Sequence, residues 1–415
     1  SALELPLQPK MSTQPRGSSE SLKPKVKPDP IPMMSALEIL LLVPIVGSLF
    51  FYLACAFFTQ QFFSTAPQAS KIPPYNPGVS LLVPVRGLDE GAWENWSSLC
   101  SQDYPEYEVL FGVMEPSDPA IPVLRQVVAA FPDRAHLFVD LPPRGLNFKD
   151  SNLSYLLERS CHQVIVFADS DIQVDANYLH TVTDPLADKS IGMVTCCFTG
   201  RNPRSIGAAL AALGRCCDFI PSFLIAQAMD QGLRCAVGAT IAMRRDVLEE
   251  IGGLHLNRIG SDYNIGKRTA EAGYRVELSH YVLESDTGNE STTAILQREL
   301  RWARTIRFNR GAVYYTMIFC YGTVFCWPLL LVSGFASWAI NLTLFVFAVR
   351  YLQATIAIRK MQGWGLLRWL WLLPWRDGLS LWVWLRGSVG QKVNWRGRWL
   401  EVKADGLLAP MDWKT

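Results

Sequence analysis

Charged residues are scarce in this sequence: Asp, Glu, Lys and Arg make up 18% of its 415 residues, whereas soluble domains usually contain about a quarter. Hydrophobic residues make up 49%, which is too many for a disordered chain and typical of a membrane protein. The net charge is only +2, so the chain lacks the strongly basic surface of a nucleic-acid binder. The composition therefore favours a membrane protein and argues against nucleic acid as a partner.

The sequence also lacks the motifs of several common enzyme classes. It contains no G-x-S-x-G, no H-E-x-x-H and no suitably placed G-x-G-x-x-G, which removes the main support for a lipase, a zinc protease or a dinucleotide oxidoreductase. The ten cysteines form no C-x-x-C pair and have no metal-ligand spacing with the five histidines. We therefore expect no zinc site, and we interpret the pairs Cys196–Cys197 and Cys216–Cys217 as core residues of a reduced cytoplasmic domain.

The N-terminal part of the chain predicts a tail followed by a membrane anchor. Residues 1–34 are rich in Ser, Pro, Lys and Gln, which predicts a disordered tail. No charged residue occurs from Ile39 to Ser70, and the apolar run is long enough for one span of about 20 residues. It is too long, and too far from the start of the chain, for a cleaved signal peptide. We therefore predict a transmembrane anchor over residues 35–60.

A second uncharged run predicts a membrane hairpin near the C-terminus. No Asp, Glu, Lys or Arg occurs from Gly311 to Val349, and a single helix of that length would extend well beyond a hydrocarbon core of about 30 Å. Two spans over residues 311–358, with a turn near Ser333–Ser337, fit better. Charged residues interrupt the next apolar run, so we expect residues 359–415 to form re-entrant or interfacial helices and a C-terminal tail. One anchor and one hairpin place the central domain and the basic C-terminal region on the same side, which the positive-inside rule predicts to be cytoplasmic.

Residues 71–310 have the pattern of an α/β domain. Short apolar runs at Val79–Val85, Val109–Met114, Leu137–Asp140 and Val164–Ala168 predict buried strands, and they alternate with helix-like stretches around residues 93–101, 119–131 and 150–160. Such alternation is typical of a mostly parallel sheet covered by helices.

Two acids, Asp169 and Asp171, follow directly after the predicted strand VIVFA. Carboxylates at the carboxyl end of a parallel strand face the crevice where α/β sheets bind ligands, and two of them can hold a hard divalent cation. A lone D-x-D is common, however, and a solvated turn with helix-capping acids explains it equally well. Taken by itself, this pattern leaves both interpretations open.

Two further signals follow along the chain. Asp262 lies in GSDY at the start of a predicted helix, where it can act as a general base or, with Ser261, merely as an N-cap. Arg298, Arg301 and Arg304 recur every three residues and share one broad face of a helix. That face suits either a clamp on a leaving diphosphate or a helix lying on lipid headgroups.

The order of these motifs adds more than any one of them. The sequence contains, in order, VSLLVPVRG, a strand ending in VME, LNFKDSNL, FADSD, VGATIAMRRDVLEEIGG, GSDY and RELRW. Over residues 78–310 this series resembles the membrane-bound GT-A glycosyltransferases, in particular the ceramide glucosyltransferase family. The resemblance implies an α/β GT-A (nucleotide-diphospho-sugar transferase) domain with transmembrane helices at both ends.

The resemblance also implies roles for individual residues. Asp262 would be the catalytic base, and Asp169 and Asp171 would hold a divalent cation, Mg²⁺ or Mn²⁺. Residues on the donor side would be Glu115, Lys149, Asn152, Asp169, Arg298, Arg301 and Trp302. The sequence departs from the animal enzymes in two of these places, because they have Gly where this chain has Asp171 and Asp where it has Glu115.

The implied activity is an inverting transfer of glucose from UDP-glucose to the primary hydroxyl of ceramide or a similar membrane lipid, which gives a β-glucosyl lipid. Its partners would be a UDP-sugar donor, a ceramide-like lipid acceptor and the bilayer. Transfer of N-acetylglucosamine from its UDP derivative to a hopanoid or another lipid alcohol would use the same fold and acids. A processive polysaccharide synthase shares the D-x-D and Q-x-x-R-W elements but usually has more spans, and a non-enzymatic membrane scaffold is the remaining alternative.

Overall fold

The computed structural model describes residues 34–65, 75–230, 232–286, 291–395 and 397–411. The tail predicted over residues 1–34 therefore lies, except for Met34, outside the described residues. The strands of the main sheet are β1 (Val79–Val85), β2 (Tyr107–Val113), β3 (Ala135–Val139), β4 (Val164–Ala168), β5 (Ile172–Gln173), β6 (Ile191–Arg201), β7 (Thr240–Arg244) and β8 (Arg275–Asp286).

Thirteen α-helices occur in the described part of the chain. They are α1 (Ala36–Ser64), α2 (Ala92–Cys100), α3 (Ile121–Ala130), α4 (Phe148–Arg159), α5 (Tyr178–Thr183), α6 (Ile206–Leu213), α7 (Ile220–Met229), α8 (Arg245–Glu250), α9 (Ser261–Glu271), α10 (Thr292–Arg310), α11 (Gly322–Val332), α12 (Ser337–Lys360) and α13 (Leu373–Gly387). A π-helical segment, Gly214–Phe219, joins α6 to α7, and longer 3-10 segments cover Gly311–Cys320 and Trp364–Leu372.

The main sheet is mixed, with the strand order β3-β2-β1-β4-β7-β6-β8-β5. Strands β1 to β4 pair in parallel, as the alternation of strands and helices predicts. Strand β7 runs antiparallel to both β4 and β6, and β5 runs antiparallel to β8, but β6 and β8 pair in parallel. Six of the eight strands therefore share one direction, and the sheet is mostly parallel, as predicted. The reversed direction of β7 was not predicted, because a short apolar run such as TIAMR carries no information about the direction of its partner strands.

Each face of the sheet is covered by helices. Apolar side chains of α2, α3 and α5 pack on one face, around the buried Trp96. The other face packs against α4, α6 and α7, and also against α12, whose Ala354, Ala357 and Ile358 are fully buried there. Because α12, a helix long and apolar enough to cross a membrane, contributes to this second core, the α/β domain and the apolar helices are joined by packing and not only by the chain.

Three described helices are long and apolar enough to cross a membrane, or up to four if a bent pair counts as one span. Helix α1 is one of them and begins with a capping box of Ser35 and Glu38. Helix α12 is the second. The third, the continuous helix Ile206–Met229, was not predicted, and 67% of its most apolar part is buried inside the protein.

The first arm of the predicted hairpin is not a simple span. Residues Gly311–Cys320 continue α10 as a 3-10 segment, and α11 then bends away from that segment by 55°. The turn expected near Ser333–Ser337 lies between α11 and α12. Helix α12 extends through the charged Arg350 to Lys360, beyond the uncharged run that predicted it.

The C-terminal region forms a small antiparallel sheet beside the domain. Its strands are β9 (Lys392–Trp395), β10 (Arg398–Val402) and β11 (Leu408–Pro410). Val393, Leu400 and Leu408 pack against Ile259, which lies just before α9. The small sheet is thereby attached to the segment that carries Asp262.

Candidate active site

A cavity of about 1720 Å³ opens at the carboxyl ends of β1, β2 and β4. Parallel strands end at a common edge, so side chains that follow them meet in one crevice. The nine residues predicted to form the site all line this cavity: Glu115, Lys149, Asn152, Asp169, Asp171, Asp262, Arg298, Arg301 and Trp302. The structure thus brings together residues that are up to 187 positions apart in the sequence.

Asp169 and Lys149 form an ion pair on the floor of the cavity. Lys149 lies in the first turn of α4, which Asn147 caps by accepting a hydrogen bond from the Asp150 amide. Burial raises the pKa of Asp169, and the neighbouring Asp171 raises it further, against the lowering effect of Lys149. Burial alone would lower the pKa of Lys149, but nearby carboxylates outweigh it and keep this amine charged.

The carboxylates of Asp169 and Asp171 supply oxygen ligands of the kind that Mg²⁺ and Mn²⁺ prefer. Both carboxylates line the same cavity, and their mutual repulsion contributes to the raised pKa of Asp169. A bound divalent cation would relieve that repulsion, and carboxylate oxygens are typical ligands for these ions. The residues present therefore fit a divalent cation, which remains a prediction for these two positions.

Asp262 lies in the second position of α9, and its carboxylate Oδ1 accepts a hydrogen bond from the Tyr263 amide at 2.9 Å. The N-cap of this helix is Gly260, with a φ of 72°, and not Ser261 or Asp262 as the sequence suggested. Glycine adopts this left-handed conformation without the strain that other residues incur. Asp262 is therefore not needed as a cap, and the helix N-terminus favours its negative charge.

The arginines of α10 stack on tryptophan rings beside the acids. The guanidinium carbon of Arg298 lies 5.4 Å from the ring centre of Trp302. That of Arg301 lies 5.0 Å from the ring centre of Trp395, which belongs to the small C-terminal sheet. Arg304, which the sequence placed on the same face, instead donates a hydrogen bond to the Lys392 carbonyl of that sheet. Arg298 and Arg301 thus line the cavity, whereas Arg304 attaches α10 to the small C-terminal sheet.

Two of the predicted donor-side residues have partners within the protein. Glu115 is half exposed and forms an ion pair with Arg86 at 3.3 Å, at the mouth of the cavity. Asn152 is buried, and its side-chain amide donates to the Gly112 carbonyl at 2.8 Å. That bond attaches α4 to β2, so Asn152 has a structural role whether or not it also contacts a donor.

Sequence reasoning missed several residues of the site. Trp395 and Arg398 line the cavity from the small C-terminal sheet. The guanidinium carbon of Arg398 lies 3.6 Å from the ring centre of Phe148. Asp150, the acid of LNFKDSNL, was visible in the sequence but received no role there. Burial raises its pKa to about 7, although a hydrogen bond from Ser261 lowers it.

The far end of the cavity is apolar and is lined by helices that belong to the candidate membrane spans. Phe51 of α1, Phe223 and Met229 of α7, and Val313 and Met317 of the 3-10 segment line it. Met229 and Val313 are 77% and 59% exposed, which is unusual for large apolar side chains unless they face lipid or a ligand. One continuous cavity therefore joins the site that contains the carboxylates and arginines to a surface of apolar side chains.

Comparison with known proteins gives one family and several distant relatives. The family model described as Glycosyl transferase family 21 matches residues 40–408. Ceramide glucosyltransferase 3 of Caenorhabditis elegans is 23% identical over 295 residues, which are 66% of this chain and 60% of the relative. Ceramide glucosyltransferase 1 of the same organism is 22% identical over 235 residues, or 56% of this chain and 50% of the relative. The chain thus spans 50–60% of the length of these curated relatives.

A solved structure shares the fold. The mannosyltransferase PcManGT from Pyrobaculum calidifontis, described in complex with GDP-Man and Mn²⁺, superposes with a TM-score of 0.50 at 18% identity. The match covers 85% of this chain and 98% of that one. The predicted GT-A fold is thereby confirmed.

Proposed function

The chain belongs to glycosyl transferase family 21, and from that premise we propose that it is a hexosyltransferase that glucosylates the hydroxyl of a ceramide-like membrane lipid, with UDP-glucose as donor. The observation that carries this proposal is the single cavity, which joins Asp169, Asp171 and Asp262 to the apolar surfaces of α1, α7 and the 3-10 segment. A sugar nucleotide requires the first region, and a lipid chain requires the second. The named relatives, which are ceramide glucosyltransferases, support the choice of acceptor.

Asp262 is the residue we assign as general base. It would accept the proton of the lipid hydroxyl while that oxygen attacks the anomeric carbon, and the bond from that carbon to the diphosphate would break on the opposite face. The result is an inverted, β-linked product. Lys149, Arg298 and Arg301 line the same cavity, and their positive charges would stabilise the negative charge that the departing diphosphate gains.

We propose that Asp169 and Asp171 hold a divalent cation, Mg²⁺ or Mn²⁺, which when bound would neutralise charge on the donor diphosphate. The Mn²⁺ in the description of the mannosyltransferase structure supports a divalent ion here, although it belongs to that protein. Trp302 and Trp395 would hold the two arginines in place while the donor binds. Glu115 would lie on the nucleoside side, where Arg86 restrains it.

The acceptor would stay largely within the bilayer. Four exposed tryptophans of the C-terminal region suit the headgroup level of a membrane: Trp364, Trp371, Trp375 and Trp382. Basic residues cluster after α12, and by the positive-inside rule we place the catalytic domain in the cytoplasm. A cytoplasmic site has direct access to UDP-sugars.

One assay tests the proposal. The full chain in lipid nanodiscs is mixed with UDP-glucose, UDP-galactose or UDP-N-acetylglucosamine and with ceramide, a hopanoid alcohol or no acceptor, and UDP release and lipid product are measured. We expect release that depends on ceramide and is fastest with UDP-glucose. Preference for UDP-N-acetylglucosamine with the hopanoid would replace this proposal, and polymer formation without a lipid acceptor would indicate a polysaccharide synthase. No UDP release under any condition would contradict an enzymatic role.

A further inference from the structure

Two hydrogen bonds connect Arg215, which lies in the candidate membrane span Ile206–Met229, through Ser285 to Asp171. Strand β5 pairs with β8 in antiparallel register, with Ile172 opposite Ser285. Because Asp171 directly precedes Ile172, this register brings Ser285 to the carboxylate, and the Ser285 hydroxyl donates to Asp171 Oδ2 at 3.1 Å. The same hydroxyl accepts a hydrogen bond from Arg215 Nη1 at 3.1 Å.

The direction of these two bonds follows from the donors present. A guanidinium can only donate, so the Ser285 oxygen must be the acceptor of the bond from Arg215. A serine hydroxyl has a single hydrogen, and that hydrogen is then oriented towards Asp171. Ser285 is 3% exposed and Arg215 is 7% exposed, so water competes little for either bond. The pair therefore restricts the rotation of the Asp171 carboxylate.

Arg215 is itself held in place. It lies in the π-helical segment Gly214–Phe219, a rare conformation that is often found at functional sites. Its guanidinium carbon lies 5.6 Å from the ring centre of Phe198 and 6.0 Å from that of Trp302. The side chain is thus enclosed between the sheet and α10.

The π-helical segment is also anchored to α12, which is a candidate membrane span, and to α13. Asp218 forms ion pairs with Arg350 of α12 at 2.6 Å and with Arg376 of α13 at 3.6 Å. Arg350 lies ten residues before the end of α12, which at 1.5 Å per residue is about 15 Å along the helix. Ionisable residues within an apolar helix of spanning length are costly in a membrane and usually functional, and here Arg350 helps to fix the segment that carries Arg215.

We propose that Arg215 and Ser285 are positioning residues for the divalent cation: they hold the Asp171 carboxylate in the orientation that binds the ion. This inference rests on the proposed function, because it assumes that Asp171 is a metal ligand. Groups that orient a metal ligand typically change metal affinity by about 10–100-fold when they are removed. Neither residue contacts the reacting atoms in this account.

The test measures Mn²⁺ binding by electron paramagnetic resonance, with the full chain in nanodiscs and without donor. Ser285→Ala and Arg215→Gln should each raise the Mn²⁺ Kd by about 10–100-fold. Arg215→Lys should lie between these variants and the wild type, because an ammonium group can still donate to Ser285. Matched controls are Ser222→Ala, whose hydroxyl bonds to its own helix, and Arg204→Gln, which lies in an exposed ion pair.

UDP affinity in EDTA separates positioning of the metal ligand from direct contact with the donor. We expect Ser285→Ala and Arg215→Gln to bind UDP as the wild type does when metal is absent. Unchanged Mn²⁺ affinity in both variants would overturn the inference, and so would an equal loss of metal-free UDP binding, which would mean that Arg215 contacts the diphosphate. If the wild type binds Mn²⁺ but transfers no sugar, the proposed function fails while this inference stands. A wild type that binds no Mn²⁺ overturns this inference, whereas the proposed function is decided by the UDP-release assay.

Discussion

Gly238 and Asp262 approach each other so closely that a Cβ atom at residue 238 would lie 2.5 Å from Oδ2 of Asp262. Gly238 belongs to the VGAT segment that leads into β7, whereas Asp262 belongs to α9. The absence of a side chain at residue 238 therefore leaves room for the carboxylate that we assign as the base. This contact explains why a glycine occupies a segment that is otherwise suited to small apolar side chains.

Gly238→Ala should displace Asp262 and slow transfer without unfolding the protein. Displacements of about 1 Å at a reacting group can cost on the order of 100-fold in rate, so we expect kcat to fall by about 10–100-fold. The control is Gly378→Ala in α13, where no heavy atom lies within 4 Å of the added methyl group. Single-turnover rates of both variants give the comparison. A wild-type rate in Gly238→Ala would show that the position of Asp262 is not critical.

Asp150→Asn should make the stability of the protein less dependent on pH. Burial raises the pKa of Asp150 to about 7, whereas an unfolded Asp has a pKa of about 4. Between those values the folded state binds a proton that the unfolded state has released, so the free energy of unfolding falls as pH rises from about 4 to 7. Asn cannot titrate and can keep contacts with the neighbouring Asn147 and Ser261.

The measurement for this prediction is the Tm of Asp150→Asn and wild type in detergent at pH 5 and pH 8. We expect the difference, variant minus wild type, to increase with pH by more than about 2 °C, the shift that corresponds to about 1 kcal/mol in a domain of this size. Asp133→Asn, an exposed acid, is the control. A difference that stays constant between pH 5 and pH 8 would mean that Asp150 is already ionised in the folded protein over this range.

Trp395→Ala should weaken donor binding modestly. The ring of Trp395 supports Arg301 through a cation–π contact, and such contacts contribute about 0.5–1 kcal/mol, or about a two- to fivefold change in Kd. Trp395→Phe should retain part of the effect. Trp399→Ala, an exposed tryptophan of the same small sheet, should leave the UDP-glucose Kd unchanged in calorimetric titrations. Equal losses in the two alanine variants would indicate a general loosening of the sheet.

Local patterns in the sequence predicted the exact bounds of some strands but missed at least one helix. The bounds of β1 and β4 match the structure because each is a buried apolar run bounded by polar or turn residues. Helix Ile206–Met229 was missed because Arg215 and Asp218 interrupt its apolar run, and their partners Ser285, Arg350 and Arg376 lie far away in the sequence. Pairing between distant charges cannot be read from local spacing.

In the candidate site, too, the sequence predicted the residues but not the contacts that orient them. The resemblance carried by the order of the motifs predicted nine site residues, and all nine line one cavity. The contacts that orient them were not predictable: Ser285 reaches Asp171 through strand register, and Trp395 reaches Arg301 through the small C-terminal sheet. These contacts depend on the packing of separate elements, which no single stretch of sequence encodes.

The central claim is that Asp262 removes the proton of the lipid hydroxyl during hexosyl transfer, and Asp262→Asn tests it most directly. The substitution keeps the size of the side chain and removes its basicity, so single-turnover transfer from UDP-glucose to ceramide in nanodiscs should fall by about 10²–10⁴-fold. UDP binding, measured in the same preparation, should stay at the wild-type value. Near wild-type transfer by Asp262→Asn, with UDP bound normally, would contradict the account.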